Sequence, residues 1–447
     1  MKSPSFLSLL KSPSKQIRLS STFYHPPHKP IFNPKFRMSS SKQPRIAILG
    51  GGPGGLTLAS LFTKFKIPYT VFELRSRPSP ADLTTPSGSL DLHADDGLLA
   101  LESCGLMDQF IALTGECSED TIIADKHGKV HLQSLHEVSR HRPEISRNAL
   151  THLLISSIPE ETIRWEHKVS SVQQVENGRW RLNFASTSPS SVPESVEEFD
   201  LVIGADGAWS KVRPELTEVK PIFSGKNWIT LTIPYLTSKY PHLDEMLGKG
   251  SYMACEAGKG VIVQRGTMES ARVYLIMDSP PCADPENWLH ESRLSTMTPL
   301  ELKTQLLTKP ELYASWGESI RELISVGCDA GQAGSEMAIR GFYMLPSCSW
   351  EHRRGLTLIG DAAHLTLPSG EGVNAAMLEA LQLSRGIAKA LSAGTDFDEA
   401  LAEYEKALFP RAKDLMADAV RMTEMLYAED APRSMVRFIE SHMHPEE

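Results

Sequence analysis

No Asp or Glu occurs before Glu73 in this chain of 447 residues, although the whole chain is acidic, with a net charge of −9. Segment 1–44 carries eight Lys or Arg with abundant Ser and Pro, a composition compatible with an organelle transit peptide, mitochondrial if imported. Only Arg18 and Arg37 are arginines there, and prolines interrupt any helix. The preferred readings are therefore a disordered extension or a start at Met38, with a cytoplasmic protein whose fold begins near Arg45. No uninterrupted apolar run reaches the roughly 18–20 residues that a membrane span needs. No CxxC pair joins the six cysteines, Cys104, Cys117, Cys255, Cys282, Cys328 and Cys348. Their spacing excludes a zinc framework or a dense disulfide network, so no metal is expected and a reducing compartment is suggested. The lack of excess positive charge argues against general affinity for nucleic acid. There is no internal repeat. A hydrophobic fraction of 41% and a charged fraction of 23% suit a soluble globular protein, and the length calls for two domains plus an accessory segment.

What is present is organised around RIAILGGGPGGLTLASLF, from Arg45 to Phe62. An apolar strand runs into Gly50-x-Gly52-x-x-Gly55 and then into a helical pattern. The first glycine allows a tight turn, the second lets backbone approach a pyrophosphate, and the third lets helix and strand pack closely. Pro53 suits the first helical turn, whose free N–H groups would face the phosphates. A second strand from Tyr69 ends in Glu73, 18 residues beyond Gly55, where a carboxylate would meet a ribose. Strand before, helix after and acid at the next strand end together indicate an adenine dinucleotide.

Further along, helical patterns are expected over 95–113 and 144–158, with Arg147 at the start of the second. Residues 121–133 read as a small hairpin around His127-Gly128, and 162–184 as strand, turn, strand with Asn177-Gly178 at the turn. A Ser/Pro-rich loop covers 186–195. The apolar strand 199–205 delivers Asp206 to its C-terminal end, the edge where ligands bind in doubly wound folds. From 222 to 319, β-branched and aromatic runs at 228–233, 251–255, 260–264 and 272–277 read as a mostly antiparallel sheet. The apolar strand 356–359 then leads into Gly360-Asp361-Ala-Ala-His364, and helices follow over 372–391 and 397–427, the last with a kink at Pro410. The expected fold is α/β. A discontinuous Rossmann-like dinucleotide domain over 45–221 and 320–396 flanks a β-rich substrate domain over 222–319, and a C-terminal helical segment and tail occupy 397–447.

Taken together, the glycine turn with Glu73, LVIGADGAWSKVR at 201–213 and LTLIGDAAHLTLPSGEGVN at 356–374 resemble the three signatures of the group A flavin monooxygenases. Within them the chain is most similar to the tetracycline-inactivating enzymes, through GSLDLH at 88–93, EISRN at 144–148 and DLVIGADGAWSKVR at 200–213. The resemblance implies noncovalent FAD with Glu73 on the adenosine ribose. It also implies Asp91 and Arg147 beside the cofactor, Asp361 on its ribityl or pyrophosphate portion, and Asp206 in a motif serving both FAD and NADPH. Gly370 to Asn374 opens a helix, and the N–H groups at its start, Gly372 among them, would stabilise negative charge on the flavin's pyrimidine edge. The resemblance further implies that NADPH reduces the flavin and O2 adds to it. The resulting hydroperoxide would deliver one oxygen atom to the substrate while the other leaves as water.

Such chemistry comes from the cofactor, so no catalytic side chain is named. His364 is expected to be a packed structural histidine, and Trp209 and Trp228 to serve core or interdomain packing rather than flavin stacking. A single GxGxxG disfavours the two-dinucleotide-domain monooxygenases, and Ile229 and Leu231 stand where halogenases carry tryptophans. Thr230 and Ser251 are weak candidates for substrate contact, at positions where tetracycline degraders carry Gln and Arg. An aromatic or polyketide-like substrate, in detoxification or secondary metabolism, is expected in place of tetracycline. The alternatives are a flavin-dependent reductase without oxygen insertion, and a noncatalytic protein that keeps the fold, as some Rab-regulating proteins do.

Overall fold

Four consecutive apolar residues make β1 (Ile46–Leu49) a strand with no polar face to turn outward, and all four are buried. It lies at the centre of a five-stranded parallel sheet. On one side are β11 (Leu201–Gly204) and β17 (Leu356–Leu358), and on the other β2 (Thr70–Phe72) and β7 (Ile163–Arg164). The computed structural model describes residues 43–114, 120–134, 143–185, 196–280 and 287–443. The loop 186–195 and all but the last two residues of the leader 1–44 lie outside them.

Helix α1 (Pro53–Phe65) starts at proline and buries nine consecutive residues from Gly54 to Phe62 between the sheet and later helices. The helical pattern over 95–113 resolves into α2 (Gly97–Cys104) and α3 (Met107–Leu113), because Gly105 at φ +80 ends the first in a left-handed turn. The pattern over 144–158 is likewise composite. Strand β6 (Glu144–Ser146) pairs with β3 (Ser89–Asp91), and α4 (Arg147–Ser156) follows, capped by the Ser146 hydroxyl on Ala149 N at 3.1 Å. Three antiparallel strands, β8 (Val169–Gln174), β9 (Trp180–Phe184) and β10 (Val196–Phe199), form a side sheet.

The second layer is a seven-stranded sheet, mostly antiparallel, in the order β16-β12-β15-β14-β13-β4-β5. Its centre comprises β12 (Ile222–Ile233), β13 (Ser251–Glu256), β14 (Lys259–Gly266) and β15 (Ser270–Asp278). Two contributions come from outside the 222–319 stretch. The hairpin β4 (Thr121–Asp125) and β5 (Val130–Ser134) joins β13 in parallel, and β16 (Met337–Met344) pairs with β12. The chain therefore visits this sheet three times, because strand pairing is set by contacts between distant segments that local composition does not record.

One face of this sheet is covered by helices. Short helices α5 (Leu236–Lys239), α6 (Pro241–Leu247) and α7 (Trp288–Glu291) precede α8 (Pro299–Thr308) and α9 (Glu318–Gln332). Ile229, Leu231, Val273 and Leu275 pack with Leu302, Leu306, Leu323 and Ile324 in a core of their own. The dinucleotide domain is completed by α10 (Asp361–His364), α11 (Gly372–Ala393) and α12 (Phe397–Leu426). The last runs through Pro410 and leads to α13 (Arg433–Met443). Among the described residues no helix is long and apolar enough to cross a membrane.

Where α9 crosses β12, a Cβ on Gly327 would stand 2.8 Å from Leu231 Cδ1 and 2.9 Å from its Cβ. Gly327→Val is expected to push α9 from the sheet and cost about 1–3 kcal/mol, read as a lower urea midpoint.

Candidate functional site

The glycine turn closes against the strand that carries the second motif. Gly50 adopts φ +107, and a Cβ there would lie 2.2 Å from the carbonyl oxygen of Ala205. A Cβ on Gly55 would lie 2.1 Å from Gly50 O, whereas one on Gly52 would meet nothing within 4 Å. The first and third glycines thus serve close backbone packing, and the second borders open space at the start of α1. Glu73 is buried beneath this turn. Its Oε2 accepts from Gly51 N at 2.6 Å and its Oε1 from Arg75 N and Nε at 2.9 and 3.0 Å. A carboxylate has about four lone-pair sites, so capacity remains for a hydroxyl.

The second and third motifs are tied together by Arg213, which sequence reasoning did not single out. Its buried guanidinium donates from Nε to Ala362 O at 2.8 Å and from its terminal nitrogens to Ala208 O at 2.9 and 2.7 Å. Longer bonds reach Gly207 O and Asp361 O at 3.3 and 3.4 Å. Burial pulls its pKa below the ordinary guanidinium range. The only sequence signal was its place at the end of LVIGADGAWSKVR. Beside it, Asp206 Oδ2 accepts from Lys211 N at 2.6 Å, while Oδ1 is buried with no hydrogen-bond partner among the described residues. Burial raises the Asp206 carboxyl above its usual range.

Asp361 begins α10 and is solvent-accessible, yet protein surrounds it closely enough that desolvation raises its pKa. A carboxylate that is accessible but densely walled lines a cleft. The positive charges that act against this rise are those of His364, Arg147 and Arg213. His364 points the other way, fully buried, with Nε2 2.7 Å from Glu379 Oε1. Glu379 also accepts from Gly360 N at 2.7 Å and has Arg411 at 3.7 Å. His364 is therefore structural, as its position in the turn implied.

The seven-stranded sheet approaches through Gly88. Arg147 N donates to Gly88 O at 2.9 Å, and a Cβ on Gly88 would meet Arg147 Nε at 3.2 Å and Tyr274 Oη at 3.3 Å. Tyr274 stacks on Trp228, with centroids 5.6 Å apart and planes 12° apart, and Phe342 tilts against Trp228 at 4.6 Å. Thr230 shares this face, opposite Tyr274, but is only 3% exposed. Ser251 lies on β13, three strands from β12, about 14 Å away at normal strand spacing, so the structure does not bring Thr230 and Ser251 together. A cavity of about 260 Å³ at the rim is lined instead by Thr232 with Thr84, Thr85 and Glu336. Trp209 corrects the packing expectation in part: it is 61% exposed and touches Tyr343 edge-on, so it is no core residue.

Gly370 at φ +83 turns the chain into α11, which starts at Gly372. Asn374, fully buried in its first turn, accepts from His93 N at 2.9 Å and donates to Asp91 O at 3.0 Å. The helix start and the Asp91 strand are thereby one unit. Among the described residues, ligand-type atoms of His93, Asp96 and Glu371 lie within 4.8 Å of one another. Among the described residues no thiol is poised to react: burial pushes Cys104 up to about 11 and Cys255, Cys328 and Cys348 up to about 12.

The family model described as FAD binding domain matches residues 44–309 and 348–419. The monooxygenase penA of Penicillium thymicola is 37% identical over 90% of this chain and its own entire length. The monooxygenase asqM of Emericella nidulans is 35% identical over 87% of this chain and 96% of its own. The chain belongs to the group A FAD-dependent monooxygenases. As a fold, the monooxygenase superposes on tetracycline destructase Tet(51) with a TM-score of 0.65 and 16% identity, covering 90% and 96% of the two chains. FAD fits the residues present. Gly52 leaves backbone open to a pyrophosphate, Asp361 opens into the cleft, and the α11 start faces the same side as Asp91.

Two tests follow from the monooxygenase geometry. Gly50→Ala and Gly55→Ala each place a Cβ on a carbonyl oxygen and are expected to abolish FAD retention, read from the flavin absorbance of the purified variant. For the His364–Glu379 pair, burial opposes both charges. Glu379 nevertheless raises the His364 pKa above 6.5, and His364, with Arg411, holds Glu379 below 4.5. The His364 contribution is complete below 6.5 and fades as pH rises through its raised pKa, while the Glu379 contribution is present above 4.5 and fades as pH falls through its lowered one. Glu379→Gln is expected to cost about 3–5 kcal/mol. The Tm gap to wild type should be widest between pH 4.5 and 6.5.

Proposed function

We propose that this chain uses FAD and NAD(P)H to insert one oxygen atom of O2 into an aromatic or polyketide-like small molecule. The observation that carries this reading is the meeting of Arg147 and Tyr274 at Gly88, which sets the Trp228–Tyr274 stack with Phe342 beside the paired strands that carry Asp91 and lead into Arg147. The flat aromatic wall suits a planar substrate, and the tetracycline destructase fold extends that shape to polyketides.

In this reading Gly50, Gly52, Gly55 and the start of α1 hold the pyrophosphate, and Glu73 takes the adenosine ribose. Asp206 and Asp361 take polar groups further along, and Asp91 and Arg147 flank the ring. When bound, FAD supplies the redox chemistry, accepting hydride and activating O2. The protein's part is electrostatic and steric. The α11 N–H groups from Gly372 onward and the Arg147 guanidinium stabilise negative charge in the cleft. The aromatic wall keeps water from the reacting atoms.

The experiment is anaerobic reduction of the FAD-loaded protein by NADPH or NADH. It is followed by mixing with ¹⁸O2 and a panel of phenolic and polyketide compounds, with products read by mass spectrometry. The expected result is one ¹⁸O atom per product and faster NAD(P)H oxidation when the true substrate is present. Nucleotide oxidation with no labelled product across the panel would favour a reductase. A purified protein unable to take up flavin would overturn both.

A further inference from the structure

Along β12 one face of the seven-stranded sheet changes character from end to end. Thr232 lines the cavity at the rim together with Glu336, and Arg272 Nη1 donates to both, at 3.2 and 2.7 Å. Trp228 forms the middle with Tyr274 and Phe342. Lys226 on β12 and Met344 on β16 each lie two residues beyond Trp228 and Phe342, so strand alternation puts their side chains on the same face. There a second cavity opens, of about 380 Å³, a volume within the range of small-molecule sites. Leu367 walls it from the loop between α10 and α11, and Val420, Thr423 and Tyr427 wall it from the end of α12.

Several of these residues are polar, but their polar groups are engaged away from the cavity. Ser224 Oγ donates to Phe342 O at 3.0 Å, and Thr423 Oγ1 donates to Ala419 O at 2.8 Å. The Lys226 ammonium is paired with Asp278 and stands 4.7 Å from the centroid of the Tyr427 ring. With its charge met in this way, Lys226 contributes its methylene stem to the wall. Met344, Leu367 and Val420 add apolar surface, and the exposed Glu424 marks the mouth. Water in such a space finds few partners, and hydrocarbon is the better occupant.

We propose that this cavity is the subsite for a hydrocarbon substituent of the substrate. The ring to be oxygenated lies on the Trp228–Tyr274 wall, and a straight or branched alkyl or alkenyl chain on that ring extends toward Met344 and Val420. The proposal rests on the monooxygenase reading and deepens it, because it names the substrate class as an aromatic compound bearing such a chain. The polar end of the same compound then points toward Arg272 and Glu336. Held at both ends, the ring has one orientation in the cleft.

The test titrates the FAD-loaded protein, without nucleotide, with phenol and its para-ethyl, para-pentyl and para-heptyl derivatives, and reads binding by calorimetry. In wild type the pentyl compound is expected to bind about 100-fold tighter than phenol, a factor of about four being available for each methylene taken fully out of water. Val420→Trp, which fills the cavity from α12, is expected to lose most of that gain. Met344→Ala, which enlarges it, is expected to shift the preference toward the heptyl compound. The ratio of affinities across the series is the deciding quantity, since a general loss of fold or flavin weakens every member alike.

Equal affinity across the series, no binding of any member, or the same chain dependence in wild type and both variants would each overturn the subsite. If Val420→Trp fails to hold FAD, the Met344→Ala series decides alone: a shifted preference supports the proposal and an unshifted one overturns it. Turnover with ¹⁸O2 and NAD(P)H separates the subsite from the reading beneath it. Chain-selective binding with no labelled product would sink the monooxygenase reading while leaving the subsite standing. Labelled products formed with no preference for a chain would overturn the subsite and leave that reading intact.

Discussion

The cofactor side of this molecule hangs on the buried carboxylate of Glu379. Far from water, a carboxylate is tolerable only if its charge is met on every side, and here the His364 imidazole, the Gly360 amide and the Arg411 guanidinium meet it. These contacts lock the Gly360–His364 turn onto α11 and hold α12 behind. The carbonyls of that turn then become acceptors for Arg213, which reaches back to Gly207 and Ala208. The Ala205 carbonyl in turn lies against Gly50. One chain of constraints thus runs from a buried ion pair through three motifs far apart in the chain to the Gly50–Gly55 turn.

A second chain joins the parallel-sheet layer to the seven-stranded sheet. Asn374 in the first turn of α11 holds both sides of the Asp91–His93 segment, and that segment's strand pairs with the one that launches Arg147. Gly88 lets this assembly touch Tyr274 on the seven-stranded sheet. An enzyme that must bring an activated cofactor and a dry substrate together benefits from walls that share backbone.

Much of the fold was legible in the sequence because fully buried parallel strands read as near-continuous apolar runs, as at 46–49 and 201–204, and at 356–358 with Thr357 between two leucines. The glycine spacing was legible because only glycine survives beside a carbonyl oxygen. Residues acting through long-range contacts were not. Arg213, Asn374 and His93 lie inside motifs, but their bonds to Ala362, to the Asp91–His93 segment and to the residues before α11 are made between distant segments that no local pattern records. Thr230 and Ser251 looked comparable along the chain, yet strand order puts β15 and β14 between them. The hairpin at 121–134 and β16 were read outside the large sheet for the same reason.

By itself the sequence determined the cofactor class, the parallel core and the order of the motifs, because these follow from steric limits on single residues and from hydrophobic runs within one segment. Only the tertiary structure decided which acids are satisfied by protein and which open on the cleft, which aromatics stack, and that His93 sits between two carboxylates. Those outcomes depend on the desolvation and pairing of charges brought together from distant segments, and burial is a property of the packed molecule, not of any stretch of chain.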